Sequence, residues 1–137
     1  MVQPNVNLVS VLIASVASMI VGFLWYSPIL FGNPWMKLVG MTKESMSAAK
    51  KGMAQMYALS AVAGFVMAYV LAHFASYTGA KTITDALSLA FWVWLGFVAT
   101  VKFTDVLFVK KPLRLYFIDS GYQLASLAVM SVILVTF

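Results

Sequence analysis

Four runs of apolar residues, separated by short polar segments, set the pattern of this chain. They extend from about Val6 to Tyr26, Met53 to Tyr77, Thr84 to Val109 and Leu113 to Phe137. Crossing about 30 Å of hydrocarbon takes about 20 helical residues, and each run supplies them. A bilayer offers no water to the backbone, so a spanning segment is either a helix or a strand of a closed barrel. Barrel strands alternate apolar and polar positions, and none of these runs does. The pattern predicts an all-α polytopic integral membrane protein, with residues 1–137 forming a single domain. Its four transmembrane helices form an antiparallel bundle, and about residues 27–52 form a cytoplasmic segment.

Local signals punctuate these runs. Ser27-Pro28 ends the first helix, because the residue before a proline avoids the α region. Gly32-Asn33-Pro34 reads as a turn, and Trp25, Tyr26 and Trp35 fit an aromatic belt at the inner interface. Thr42 is a predicted N-cap, with Glu44 in the first turn facing the positive end of the helix dipole. From there the helix is expected to run unbroken into the second span. Met46, Ala49 and Met53 would lie on one side and Lys43, Lys50 and Lys51 around the other. Either a helix lying partly among headgroups or a solvated loop helix accounts for that pattern. Lys110-Lys111-Pro112 makes a tight turn, so the third and fourth spans form an antiparallel hairpin.

Composition agrees with a lipid-embedded chain. Of the 137 residues 63% are hydrophobic and 9% charged, and the mean hydropathy is +0.95. Soluble domains are about 45–50% apolar and about 25% charged, so lipid must cover the excess. The net charge of +5 does not point to nucleic acid. Its cations sit at the ends of apolar runs, where anionic headgroups are the natural partners. Lys37, Lys43, Lys50 and Lys51 follow the first span, and Lys110, Lys111 and Arg114 follow the third, against Lys81 alone after the second. The positive-inside rule then places both termini outside and the two basic segments in the cytoplasm. Residues 1–7 carry no Lys or Arg, unlike the basic start of a cleavable leader, so the first run is expected to be a retained helix.

Small residues recur at intervals of four: Ser10, Ala14, Ser18 and Gly22 in the first span, and Ser60, Gly64, Ala68, Ala72 and Ser76 in the second. That spacing holds one helix face, and small residues let helix backbones approach within lipid. These faces are expected to pack within the bundle or across a homo-oligomer interface. Gly96, Thr100 and Thr104 form a weaker stripe in the third span, and Gly121 with Ala125 in the fourth.

The chemistry that stands out is charge inside the last two spans. Lys102, Asp105 and Asp119 lie about 10, 6 and 9 Å from the inner helix ends at about 1.5 Å per residue. An ionisable group in a spanning helix costs roughly 2.5–3.5 kcal/mol on insertion scales, so it has a partner or a task. If the faces meet, Lys102 pairs with Asp105 or Asp119, and Gln123, beside Tyr122 on the face of Asp119, completes a polar network. One reading is structural: Lys102 snorkels to headgroups, Asp105 pairs with Arg114, and Asp119 locks the hairpin. The other is a polar intramembrane site that loads and releases a proton or cation.

His73, the single histidine, lies near Tyr69, Tyr77 and Asp85 at the outer end of the second span, and one histidine is a weak metal signal. Trp92 and Trp94 point to different faces and are expected to pack. Cysteine is absent, as are the phosphate-loop, dinucleotide, metalloprotease and hydrolase motifs. No catalytic residue, cofactor or metal is therefore expected.

Two stretches carry a resemblance. Gly22-Phe-Leu-Trp-Tyr-Ser-Pro-Ile-Leu-Phe-Gly32 with Pro34-Trp35 closes the first span. Asp105-Val-Leu-Phe108, Pro112-Leu-Arg-Leu and Gly121-Tyr-Gln-Leu124 mark the third and fourth. Together they resemble a family of small bacterial membrane proteins classed only as a domain of unknown function. The resemblance spans nearly the whole chain and implies a four-helix membrane domain without an assigned activity. Where such relatives often carry histidine after Gly-Tyr and an acidic residue after Asp-x-Leu-Phe, this chain has Gln123 and Val109. Two functions follow as expectations: small-solute, ion or proton transport at the charged cluster, or a non-catalytic accessory role in which the basic segment binds lipid or a partner.

Overall fold

The computed structural model describes residues 3–137, apart from the side chains of Lys43, Met46, Ala49 and Lys51. The expected opposition of Met46 and Ala49 to Lys43 and Lys51 therefore lies outside the described residues. Helix α1 spans Leu8–Trp25 and starts later than the apolar run, because the Asn7 side chain caps it by accepting the Val9 N–H at 3.0 Å. The chain then turns back into α2, Gly32–Val39. Gly40 ends α2 in the left-handed region at φ 73°, with its N–H on the Lys37 carbonyl and that of Met41 on the Met36 carbonyl. Helix α3, Lys43–Ala49, is capped by Thr42 as expected, with Ser45 completing a capping box. It does not run unbroken into the second span: a 3₁₀ turn at Lys50–Gly52 intervenes, and Gly52 leaves the helical region at φ −104° and ψ 5° before α4, Met53–Thr78, begins.

Gly79 closes α4 in the left-handed region, and Thr82 and Asp85 box the start of α5, Ile83–Trp94. The third span continues through a π turn at Leu95–Ala99, a short helix α6 at Thr100–Thr104 and a second π turn at Asp105–Val109. Lys110, left-handed at φ 59°, reverses the chain, and Pro112 precedes α7, Leu113–Thr136. The molecule is all-α, and four of its helical stretches are long and apolar enough to cross a membrane: Leu8–Trp25, Met53–Thr78, Ile83–Val109 and Leu113–Thr136.

Helix α7 is the centre of the bundle. It packs along α1 on one side and α5 on the other, while α1 also packs on α4. The core joins Val11 and Ala14 of α1, Ala68, Leu71 and Ala72 of α4, Ala90 of α5, and Leu127 and Met130 of α7. By chain direction all of these lie in the half nearer the termini. In the other half, residues such as Met56, Leu59, Val101 and Leu107 are exposed, as lipid-facing side chains are.

The small-residue stripes are half realised. Ser10, Ala14 and Ser18 are buried, Gly64 meets Ser18 and Ser15, and Ala68 and Ala72 are buried. Gly22 faces the Tyr122 ring, whose hydroxyl would lie 3.2 Å from an added Cβ. Ser60 is exposed in the single chain, so it takes no part in the packing within the bundle. Gly96, Thr100 and Thr104 are exposed as well, and an added Cβ at Gly96 would meet nothing within 4 Å.

Candidate functional site

The geometry of the polar end follows from how α7 is gripped. On one side, the C-terminal turn of α1 docks onto it. The Trp25 indole N–H donates to the Ile118 carbonyl at 2.9 Å, and the Tyr26 hydroxyl donates to Asp119 Oδ1 at 2.7 Å. Gly121 makes room for this approach, since a Cβ there would lie 3.1 Å from the Trp25 ring. The Tyr26 ring also sits edge-on to Trp35 of α2 and to Tyr122, at centroid distances of 5.5 and 5.4 Å. Tyr122 in turn donates to the Ser18 carbonyl at 3.2 Å. On the other side, the third span is tied by Trp94, whose indole N–H donates to the Ser120 carbonyl at 2.7 Å, and by Tyr116, whose hydroxyl donates to the Ala99 carbonyl at 2.9 Å. Ala99 closes the first π turn, so the tyrosine reaches the backbone where the regular helical ladder is interrupted.

Between these grips opens a cleft of about 30 Å³, lined by Lys102, Asp105, Lys111, Leu115, Tyr116 and Asp119 together with Val106. The three charges singled out by sequence thus meet in one place, but with different partners. Asp105 pairs with Lys111 at 3.7 Å rather than with Lys102 or Arg114. Lys110 causes this, because its left-handed turn carries Lys111 back so that its N–H reaches the Asp105 carbonyl at 3.3 Å. Both side chains of the pair are about half exposed, at 51% and 48%, so the pair adds little to stability. Asp119 is held by Tyr26 rather than by Lys102, which forms no ion pair among the described residues. Arg114 is exposed, and Gln123 is half-buried but does not line the cleft, so the expected completion of the network through Gln123 is not realised.

Sequence reasoning missed Tyr26, Tyr116 and Lys111. The available signal was a tyrosine at the end of the first span that lies level with the intramembrane carboxylate of the fourth. His73 stands apart: its Nδ1 is 2.8 Å from the Tyr69 carbonyl oxygen, within its own helix, and its ring lies between Tyr69 and Tyr77. Asp85, expected near it, is used as a cap, accepting the N–H groups of Lys81 and Thr82. Trp92 points away from the bundle while Trp94 points in, as their spacing implies. No group of three metal-type ligands exists among the described residues. Chemically, the cleft offers two ammonium groups and two carboxylates around a space of one or two water molecules. Such a site suits a proton, a water or a small ion.

Three membrane-length helices packed around a fourth, with a charged cleft at one end, define a small polytopic membrane protein. The chain belongs to the family described as "Protein of unknown function (DUF1761)", which matches residues 9–135 and so takes in all but the ends of the first and last spans. Neither a curated protein nor a solved structure matches it. The Trp-Tyr-Ser-Pro and Gly-Tyr patches that carried the resemblance are the two surfaces that dock: Trp25 and Tyr26 against Ile118, Asp119, Gly121 and Tyr122.

Proposed function

We propose that this is a multi-pass protein of a bacterial cytoplasmic membrane, self-associating and with both termini outside, that transports a proton or small ion through the polar cleft at its cytoplasmic end. One observation carries the reading. Lys102, Asp105, Lys111 and Asp119 converge on a space of about 30 Å³, which favours a proton or small ion over a larger solute. Charges at membrane depth are costly, and a cleft that gathers four of them beside lipid is the kind of place where ion pathways begin. The apolar core of the other half closes the bundle around Leu127 and Met130, so the remaining path would run between copies, which is why self-association belongs to the proposal.

The test is Asp119→Asn in proteoliposomes, with proton and monovalent-ion flux read by entrapped dyes. The amide oxygen still accepts from Tyr26, so the fold is expected to survive while flux falls to background. Unchanged flux, or a loss explained by unfolding on size exclusion and circular dichroism, overturns the reading. A second reading, an accessory protein that binds lipid or a partner, is favoured by the exposed Lys37, Lys50, Lys110 and Arg114 at the same end. It predicts that neutralising Lys43, Lys50 and Lys51 matters more than changing the cleft.

A further inference from the structure

The connection between α1 and α2 raises a problem of solvation. Ile29 is 87% exposed, and Leu30 and Phe31 are exposed beside it. The turn that presents them is rigidly built. The Leu30 and Gly32 N–H groups donate to the Ser27 carbonyl at 3.1 and 2.9 Å, and that of Phe31 donates to the Trp25 carbonyl at 2.9 Å. Phe31 also lies on the Trp25 ring at 4.8 Å. Gly32 is buried, and a Cβ there would fall 2.8 Å from the Ser27 backbone, so only glycine allows the chain to close so tightly. The apolar tip is therefore held outward and has no route to fold in.

We propose that this tip inserts into the acyl chains of the membrane leaflet that α1 has just crossed, so that residues 27–39 form an interfacial hairpin rather than a water-exposed loop. The tip follows Trp25, the last residue of a membrane-length helix, and so continues an apolar surface already covered by lipid. At the same end of the bundle the third span finishes with Phe108, 83% exposed, and Val109, followed at once by Lys110 and Lys111. Helix α2 has the matching polarity: Asn33 and Lys37, four residues apart, are both exposed, while Trp35 packs on Tyr26. A cation beside an apolar anchor is the charge arrangement that anionic headgroups complement. The inference is independent of the ion-site reading and survives its failure.

The chain has no cysteine, so single-cysteine probes are unique labels. Ile29→Cys and Lys37→Cys, both at exposed positions, are spin-labelled in vesicles of phosphatidylethanolamine and phosphatidylglycerol. Collisional access is then compared between oxygen, which partitions into acyl chains, and a water-soluble nickel chelate. The label at position 29 should favour oxygen and that at 37 the chelate. A charged thiol reagent should react about tenfold more slowly at position 29, where the thiolate is screened and disfavoured. Chelate access at 29 equal to that at 37 means a water-exposed turn and overturns the proposal. Low access to both relaxers means a protein surface, whether a second copy or another partner, covers the tip, and overturns it equally.

Discussion

Tyr26 is the residue on which the polar end turns. Its hydroxyl is the observed partner of Asp119, and its ring touches both Trp35 and Tyr122. A hydrogen bond to a charged group contributes about 1.5–3 kcal/mol, and the half-buried setting favours the lower end of that range. We expect Tyr26→Phe to destabilise the protein by about 1.5 kcal/mol in detergent unfolding, leaving the aromatic packing intact, since only the hydroxyl is removed. A midpoint unchanged from wild type would mean that water replaces the tyrosine without cost. Residue-level reading of the sequence located Lys102, Asp105 and Asp119 because depth along two antiparallel helices is simple arithmetic. It missed their partners because Lys111 depends on one left-handed residue at position 110, and Tyr26 depends on which helices are neighbours. Neither fact has a local signature.

Elements show the same division between what spacing reveals and what it hides. The four spans were legible from hydropathy alone, and Thr42 caps its helix as expected, its side-chain oxygen accepting the Ser45 N–H; Thr82, which the sequence reading did not single out, caps α5 in the same way. The Gly96, Thr100 and Thr104 stripe keeps to one face, but all three residues are exposed and take no part in packing within the bundle. Spacing of four identifies a shared face without saying which neighbour that face meets. Ser60 also lies outside the packing within the bundle: spacing names a face but not how far along it a neighbour extends. The tightest element is the turn into α2. Gly32→Ala would drive a Cβ into the Ser27 backbone, which cannot yield as a flexible side chain can. We expect a loss of about 1–3 kcal/mol, of the size found for overpacked sites, together with a change in tryptophan emission as Trp25 and Trp35 lose their settings. A fully wild-type spectrum and melting curve would show that the turn opens freely.

For the whole molecule, the feature with the widest reach is the position of α7, which follows the other three spans and against which each of them leans. Trp25, Tyr26 and Tyr122 join residues about a hundred positions apart, and Trp94 waits on Ser120. Such long-range closure delays folding until both ends are present. During synthesis, then, the first three spans enter the membrane with two indole N–H groups and a tyrosine hydroxyl lacking the acceptors they will finally use. A chain ending at Lys111 should be degraded in membranes far faster than the full chain, as read by pulse-chase, and equal half-lives would show that the first three spans hold together unaided. On this expectation the emergence of α7 would act as a checkpoint of biogenesis: quality-control proteases would meet an open bundle until α7 arrives, and a closed one afterwards.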